Sequence, residues 1–309
     1  MTDRSSTPST TPTATLAGKA IVVTGASRGL GRSIAVALAG AGAAVVVNGR
    51  DADNIDALVG EIGAAGGRAI GVVGSVADEA VADRVVATCV EELGQIDCLV
   101  NNAGIVRDRT TMRMSAEEFD DVIAVNLRGT WLCGRAAARA MKDTGGHLVN
   151  VISNVAFHGS VGQSNYAASK AGAASLTRSW AYELARYGIR ANAVWPVALT
   201  DMTQVVLDRA VQAATAEGAP APEAGAIGIG DPDEVAKLLV YLASDAAAHL
   251  NHQIITFNGG RLSLWTHPSE VEVREQRSWT VDEIAAAFSG DGAIAPQAMH
   301  EPALPPLLS

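Results

Sequence analysis

Two side chains on one predicted helix have the types and spacing needed for proton transfer. Tyr166 and Lys170 lie four residues apart in the segment YAASK, so they occupy the same face of a helix. A phenol with its ordinary pKa of about 10 is a poor acid or base at neutral pH, but a nearby cation favours the phenolate. We therefore expect Lys170 to lower the pKa of Tyr166 toward the range of a general acid/base catalyst. A solvated surface pair is the alternative for this common spacing.

A serine upstream supports the catalytic interpretation. Ser153 lies 13 residues before Tyr166 and directly follows a predicted strand at residues 147–152. Its hydroxyl could donate a hydrogen bond to a substrate oxygen on which negative charge develops. Ser153 and Tyr166 would then hold the same oxygen atom of a substrate.

A glycine-rich turn predicts a dinucleotide site. Residues 24–31 read TGASRGLG, between a predicted strand at 20–23 and a predicted helix at 32–39. Backbone N–H groups and the helix dipole can hold a pyrophosphate there, provided that glycines allow its close approach. A tight turn without a ligand is the alternative. The candidate cofactor contacts in this turn are Gly25, Ser27, Arg28, Gly29, Leu30 and Gly31.

Together these motifs resemble the short-chain dehydrogenase/reductase family. The TGxxxGxG turn, the NNAG segment at 101–104 and the Ser-Tyr-Lys spacing carry the resemblance, which covers about residues 16–260. It implies a catalytic group of Asn126, Ser153, Tyr166 and Lys170. In that group Asn126 belongs to a kinked helix that holds a water molecule beside the lysine. A hydrogen bond from Asn126 to the local backbone is the alternative role.

The resemblance also implies further contacts with cofactor and substrate. The implied cofactor contacts are Arg50, Ser75, Val76, Asn102, Ala103, Gly104, Tyr166, Lys170, Pro196 and Thr200. The implied substrate contacts are Ser153, His158, Tyr166, Val197 and Met202. Ser75 stands where the family usually has Asp, and Val197 where it usually has Gly. We therefore expect the adenine contacts and the substrate pocket to differ from the family pattern.

The residues after the second predicted strand favour NADP(H) over NAD(H). NAD sites of this fold commonly place an acidic residue there to bind the adenosine 2′-hydroxyl, whereas NADP sites need a cation for the 2′-phosphate. This chain has Arg50 at that point, and the acidic Asp51 follows one residue later. Arg50 and Arg28 could clamp the phosphate. Solvated arginines and an NAD(H) site are the alternative; we predict no metal in either case.

Two branches of the family share local features with the chain. GIVRD at 104–108, MRM at 112–114 and EEF at 117–119 are similar to 3-oxoacyl-[acyl-carrier-protein] reductases, which reduce β-ketoacyl thioesters with NADPH. PVALTDMTQ at 196–204 resembles instead the 3-hydroxyacyl-CoA dehydrogenase part of multifunctional β-oxidation enzymes, which usually use NAD.

We predict an NADP(H)-dependent ketoreductase. Its substrate is a small-molecule ketone or alcohol, either a β-ketoacyl thioester carried on acyl carrier protein or CoA, or a polyketide-like ketone. An NAD-dependent 3-hydroxyacyl-CoA or hydroxysteroid-type dehydrogenase is the alternative. A catalytically silent NADP-binding regulator is the alternative of another class.

Short apolar runs alternate with Ala-rich amphipathic stretches, which predicts an α/β fold. We expect a Rossmann-type doubly wound parallel sheet of about seven strands with helices on both faces. Its ligand crevice should lie beyond the carboxyl ends of the strands. The predicted strands are residues 20–23, 43–48, 69–73, 98–100, 147–152, 189–194 and 253–257.

The chain divides into three predicted segments. They are a disordered leader at 1–15, a catalytic domain at 16–260 with a flap at about 203–230, and a C-terminal extension at 261–309. The extension has a predicted helix at 281–288 and two large apolar side chains, Trp265 and Trp279. Because it is too short for a core of its own, we expect both tryptophans to pack on the domain or on a neighbouring subunit.

Composition excludes several classes of function. The 309 residues are 48% hydrophobic and carry a formal net charge of −10. A nucleic-acid or anionic-membrane surface is not expected, because phosphate binding needs clustered Lys and Arg. Cys89, Cys98 and Cys133 lack metal-ligand spacing and read as reduced thiols of a cytoplasmic protein. The family resemblance implies a homo-oligomer, either a dimer or a tetramer.

Overall fold

The computed structural model describes residues 15–216, 219–269, 273, 278 and 280–287. These residues form one eight-stranded sheet with helices on both faces. The strands are β1 Ala20–Val23, β2 Ala44–Gly49, β3 Arg68–Val73, β4 Cys98–Asn101, β5 Gly146–Val151, β6 Ile189–Pro196, β7 Ile254–Phe257 and β8 Leu262–Leu264. The helices are α1 Gly29–Gly40, α2 Ala52–Ala64, α3 Glu79–Leu93, α4 Ala116–Ile123, α5 Gly129–Ala140, α6 Val155–His158, α7 Ser164–Glu183, α8 Asp201–Ala216, α9 Pro232–Ala243 and α10 Val281–Ala287. One π-helical turn, Ala124–Arg128, joins α4 to α5.

The strand order places a ligand crevice at the centre of the sheet. The order is β3-β2-β1-β4-β5-β6-β7-β8, with parallel pairing from β3 to β7. The winding of the chain reverses between β1 and β4, so the loops that follow these two strands diverge. In sheets of this kind ligands bind in that crevice, beyond the carboxyl ends of the strands. The predicted doubly wound α/β fold is confirmed.

The strands read as continuous apolar runs because both of their faces are buried. In β1, Ile21 and Val23 join the core beneath α1 and α9, while Ala20 and Val22 join the core beneath α3 and α5. A parallel sheet covered on both sides requires this pattern. The two cores fix the height of each strand end, and therefore the positions of the loops that form the crevice.

The sheet has one strand more than the sequence predicts. β8 pairs antiparallel with β7, with Leu262 opposite Phe257 and Leu264 opposite Ile255. The sheet therefore continues past residue 260. The strand escapes prediction because its three residues are too few to show a period. In the predicted flap, α8 continues as helix to Ala216 and a 3₁₀ turn occupies Ala224–Ile227.

The three cysteines are buried and form no disulfide. Burial raises the pKa of each thiol to about 12, so all three remain protonated and unreactive at neutral pH. None of the described helices combines the length and the apolar character needed to cross a membrane. Trp279, residues 1–14 of the predicted leader and the end of the chain beyond residue 287 lie outside the described residues.

Candidate active site

The glycine-rich turn between β1 and α1 has a backbone that only glycine accommodates well. Gly25 and Gly29 have φ angles of +64° and +53°, which lie in the left-handed region that disfavours side chains. A Cβ on Gly25 would lie 2.6 Å from Cα of Ala103. A Cβ on Gly31 would collide with the Gly25 carbonyl and the Asn102 side chain. The turn therefore packs directly against the loop that follows β4.

Hydrogen bonds hold these two loops together. The Thr24 hydroxyl accepts the N–H groups of Asn102 and Ala103, each at 3.1 Å. The Asn102 amide in turn donates to the carbonyls of Thr24 and Gly25 at 3.1 and 3.0 Å. Asn102 thus braces the turn from the side, and its role is to shape the site.

One cavity of about 410 Å³ runs from this turn to the Tyr166 helix. All the cofactor contacts predicted from the sequence line it. These are Gly25, Ser27, Arg28, Gly29, Leu30, Gly31, Arg50, Ser75, Val76, Asn102, Ala103, Gly104, Tyr166, Lys170, Pro196 and Thr200. Ser153 lines the same cavity. The fold therefore brings the glycine-rich turn and the Ser-Tyr-Lys group to one continuous space.

Two arginines and one carboxylate lie near the adenosine end predicted for this cavity. Arg28 and Arg50 are exposed and line the cavity wall. The Asp51 carboxylate accepts the backbone N–H of Asn54 at 3.0 Å and caps α2. Asp51 is absent from the lining of the cavity. Asp51, the acidic residue that left NAD(H) as an alternative in the sequence, therefore serves as the N-cap of α2.

Lys170 reaches the cavity from α7 as a buried cation. It is only 4% exposed, and its Nζ donates to the Val151 carbonyl at 2.8 Å. Nζ lies 5.6 Å from the centroid of the Tyr166 ring. Burial lowers the pKa of Lys170 to about 8, because a low-dielectric environment disfavours the charged form.

Tyr166 and Ser153 meet at their hydroxyl groups, as the shared-oxygen hypothesis requires. The pKa of Tyr166 is raised to about 12, chiefly by burial, while its hydrogen bond with Ser153 acts in the opposite direction. The lowered pKa expected from the sequence is thus not found. Lys170 is not among the causes of the shift, and its Nζ is held by Val151. The Ser153 hydroxyl also donates to the Asn154 side chain at 3.0 Å.

Asn126 is fully buried in the π-helical turn, a distortion that is frequent at functional sites. Its side chain accepts the Ile105 N–H at 2.8 Å and donates to the Ile105 carbonyl at 3.0 Å and to Ser169 Oγ at 3.2 Å. A Cβ built on Gly104 would lie 3.5 Å from Asn126 Oδ1 and 3.7 Å from Lys170 Nζ. Asn126 therefore anchors the loop after β4, and its role in holding a water molecule beside the lysine stays a prediction.

The predicted substrate residues do not all face the cavity. His158 packs against the rings of Trp195 and Trp265, at centroid distances of 6.3 and 5.7 Å. Val197 is half-buried and absent from the lining, and its backbone bonds to neighbouring segments. The side chain of Met202, in the first turn of α8, lies outside the described residues. Of the described side chains in this set, Ser153 and Tyr166 line the cavity and those of His158 and Val197 do not.

Several lining residues escaped the sequence interpretation. Thr203 is the most informative, because its hydroxyl accepts the Thr200 N–H at 2.7 Å and donates to the Ala198 carbonyl at 2.7 Å. It fixes the backbone where Thr200 meets the cavity. The spacing of two threonines at a helix start was a usable signal. Asn48, Gly49, Gly74, Ile105, Val106, Arg107, Val125, Val151, Ile152 and Ala198 also line the cavity without having been predicted.

The comparisons with known proteins agree with this geometry. The profile of the short chain dehydrogenase family matches residues 19–210, more than half of the chain. The chain is a short-chain dehydrogenase/reductase. Like its relatives, this short-chain dehydrogenase/reductase is an NAD(P)-dependent oxidoreductase that acts on CH–OH or ketone groups.

Individual relatives of this short-chain dehydrogenase/reductase differ in how much of it they match. Hydroxyacyl-CoA dehydrogenase ChsB1 of Mycobacterium tuberculosis is 43% identical over an alignment of 306 residues that covers 93% of this chain and 93% of that relative. The 3-oxoacyl-[acyl-carrier-protein] reductase FabG of Thermotoga maritima is 39% identical over 247 residues, which is 79% of this chain and 98% of that relative. A crystal structure of a short chain dehydrogenase from Mycobacterium avium is 34% identical with a TM-score of 0.72, covering 91% of this chain and 97% of that chain.

The relatives differ in whether their match with this chain must include part of the C-terminal extension. Since 93% of 309 residues is more than 260 residues, the match with ChsB1 must reach beyond residue 260. The same holds for the Mycobacterium avium structure at 91%. The FabG match needs no more than the domain that ends near residue 260.

Proposed function

We propose that the protein is an NADP(H)-dependent ketoreductase that interconverts a β-ketoacyl thioester and its 3-hydroxy form. The observation that carries the proposal is the single cavity shared by the glycine-rich turn, the two arginines and the Ser153, Tyr166 and Lys170 side chains. The glycine backbone of the turn fits a pyrophosphate, since Gly25 and Gly29 carry no side chain that would keep it from the backbone N–H groups. When bound, the nicotinamide supplies or accepts the hydride.

The chain's own residues move and hold the proton on the substrate oxygen. In reduction, Tyr166 donates its phenolic proton to the oxygen while Ser153 donates a second hydrogen bond to the same atom. The raised pKa of Tyr166 keeps that proton in place at neutral pH. The Lys170 ammonium, 5.6 Å from the centroid of the Tyr166 ring, would stabilise the phenolate left after transfer. Asn126 positions the loop that follows β4. In oxidation the same groups act in the opposite direction.

Replacing Tyr166 by Phe tests the catalytic assignment. We expect kcat to fall by about 10²- to 10⁴-fold, because the proton donor is lost, while NADPH binding followed by fluorescence stays nearly unchanged. Tyr187→Phe is the control, since Tyr187 lies beyond α7 and outside the cavity lining. Turnover retained in Tyr166→Phe would contradict the assignment. A silent regulator would show no turnover in the unaltered protein either.

The preference for NADP(H) is supported by the two exposed arginines and by Asp51, whose carboxylate is occupied in capping α2. Arg50→Gln should raise the KM for NADPH by about tenfold or more, because a charge-assisted hydrogen bond to phosphate is lost. The KM for NADH should change little. Arg139→Gln, an exposed arginine away from the cavity, is the control. An equal effect of Arg50→Gln on both cofactors would contradict a contact of Arg50 with the 2′-phosphate.

One observation favours CoA over acyl carrier protein as the carrier of the acyl group. The match with the hydroxyacyl-CoA dehydrogenase of Mycobacterium tuberculosis must reach into the C-terminal extension, whereas the FabG match needs no more than the domain. We therefore include an NAD-dependent 3-hydroxyacyl-CoA dehydrogenase as the second candidate. Parallel assays of β-ketoacyl thioesters on CoA and on acyl carrier protein, and of steroid-like and polycyclic ketones, with NADPH and NADH, decide between them.

We also propose that residues 16–260 form the catalytic domain, that α8 and the segment after it cover the substrate, and that the enzyme is a homo-oligomer. In the described part of the extension, Trp265 stacks on Phe157 at 5.5 Å and contacts Trp195 at 5.0 Å. Its indole N–H donates to the Thr256 hydroxyl at 2.6 Å. These contacts support packing of the extension on the domain, close to the loop that carries Ser153.

A further inference from the structure

A second cluster of basic side chains lies away from the cavity, where β7 begins and β8 has ended. His252 precedes β7, His267 follows β8, and Arg178 and Tyr182 project from α7. The two imidazole rings lie 4.2 Å apart, and the Tyr182 ring lies 4.7 Å from that of His252. Three separate segments of the chain therefore converge on this point.

Four nitrogens of this cluster are buried without a hydrogen-bond partner among the described residues. They are Nε and Nη2 of Arg178, Nε2 of His252 and Nδ1 of His267. A buried polar group without a partner destabilises the folded chain, so an unpaired set in one place indicates a missing ligand. Nε and Nη2 form one edge of the guanidinium, the edge that pairs with two oxygens of a carboxylate or phosphate.

The backbone at His252 supplies an independent observation. Its φ is +66°, and among the described residues it is the one non-glycine residue with a positive φ. Glycine is the default in this conformation, and strained positions of this kind cluster at functional sites. The histidine is therefore held at a position that glycine would occupy more easily, which is consistent with a use for its imidazole.

The charge of the cluster selects the class of ligand. The pKa of His252 is lowered by burial, by His267 and by the Arg178 guanidinium. A metal cation is disfavoured beside that guanidinium, and the described residues contain no metal-ligating group of three or more acidic, Cys or His side chains. An anion would pair with all four nitrogens and relieve the repulsion. We propose that Arg178, His252 and His267 form a binding site for a small oxyanion, phosphate or carboxylate.

This oxyanion site is separate from the cofactor cavity. Arg178 follows Tyr166 by 12 residues on α7, which corresponds to about 18 Å along the helix axis at about 1.5 Å per residue. None of the three residues lines the cavity. Its occupancy can therefore be measured without loading the cofactor, and the proposal does not depend on the substrate assignment.

Imidazole signals of the full-length protein test the site directly. With ¹³C-labelled histidine, the six histidines give a spectrum simple enough to follow. We expect phosphate, or acetate as the carboxylate probe, to shift the His252 and His267 signals saturably, while chloride at matched ionic strength does not. The tighter of the two anions identifies the chemical class.

Three variants make the test specific. Arg178→Gln and His252→Gly should abolish the saturable shift of the remaining histidine signal, and His252→Gly should raise the Tm because it removes the strained φ. His249→Asn, an exposed histidine three residues away, should leave the shift intact. No saturable shift with either anion, or an unchanged shift in Arg178→Gln, overturns the proposal. Unchanged NADPH binding in each variant shows that the fold is retained.

Discussion

At the scale of single residues, the structure gives Tyr166 and Lys170 different partners, although the sequence motif places them together. Lys170 lies four residues after Tyr166, yet its ammonium group is held by the Val151 carbonyl and the tyrosine is tuned mainly by burial. Burial disfavours the charged form of each group and so moves the two pKa values apart, to about 8 for the lysine and about 12 for the tyrosine. The residue that titrates first on raising the pH is therefore Lys170.

The pH dependence of NADPH use should report this lysine. The pKa of Lys170 in the free protein is about 8, so below that pH the ammonium is present and above it the charge is lost. We expect kcat/KM for NADPH, which reflects groups of the free enzyme, to fall by about tenfold per pH unit above pH 8. Steady-state assays from pH 6 to about 10 measure it.

Lys170→Arg is the informative comparison, because a guanidinium keeps its charge throughout this range. Its profile should lack the alkaline fall even where its absolute rate is low. A flat profile in the unaltered enzyme would show that the lysine does not titrate in this window. Tyr166 is not expected to contribute a fall there, since its pKa is about 12.

At the scale of elements, the strand-to-helix turn after β1 is the most constrained part of the site. Its glycines are fixed by the neighbouring loop, since Gly25 and Gly31 lie against Ala103 and Asn102. Its hydrogen bonds to that loop run through Thr24 and Asn102. A side chain in this turn would therefore act on stability and on cofactor binding together.

Gly31→Ala and Gly60→Ala should have opposite effects. The added Cβ at Gly31 meets a carbonyl oxygen and an amide, so NADPH binding should weaken by at least about tenfold and the Tm should fall. Gly60 lies inside α2 with no atom within 4 Å of an added Cβ. Alanine there should raise the free energy of unfolding by about 0.5–1 kcal/mol. Fluorescence titration and thermal unfolding test both, and equal losses in the two variants would refute the argument.

At the scale of the whole molecule, buried polar residues tie the central strands to the helices. His147 in β5 is 2% exposed, with its Nδ1 2.9 Å from the Leu242 carbonyl in α9 and its Nε2 2.8 Å from the Asn192 amide in β6. The contacts require a neutral ring that donates from Nδ1 and accepts at Nε2. Burial lowers the pKa of His147 to about 3.

His147 should make the free energy of unfolding decrease as the pH falls from about 6.5 toward 3. The unfolded chain protonates His147 below about pH 6.5, whereas the folded chain does so only near pH 3, so the unfolded state binds more protons between these values. Stability is therefore complete above pH 6.5 and declines as pH falls. The loss should be about 2 kcal/mol between pH 6.5 and 5.

Urea unfolding at fixed protein concentration measures this loss. His147→Asn should be less stable at pH 7 but should show a smaller decline on acidification. His249→Asn, an exposed histidine, is the control and should decline like the unaltered protein. If His147→Asn and the unaltered protein lose the same free energy from pH 7 to 5, another group controls the acid limb.

The sequence by itself determined the doubly wound fold and the reaction class. A strand that is buried on both faces needs a run of apolar residues, and Ile21 belongs to such a run. A turn that approaches a pyrophosphate closely needs glycine, as at Gly25. Both features can be recognised from short stretches of sequence. Helical spacing likewise placed Tyr166 and Lys170 on one face.

Only the tertiary structure decided what depends on distant segments. Burial sets the direction of the Tyr166 pKa shift. Asp51 caps α2 and does not line the cavity. The strand β8 forms because it pairs with the edge of β7. The cluster of Arg178, His252 and His267 assembles from three segments with no common motif. Burial and long-range contact depend on the packed chain, and no short stretch of residues encodes them.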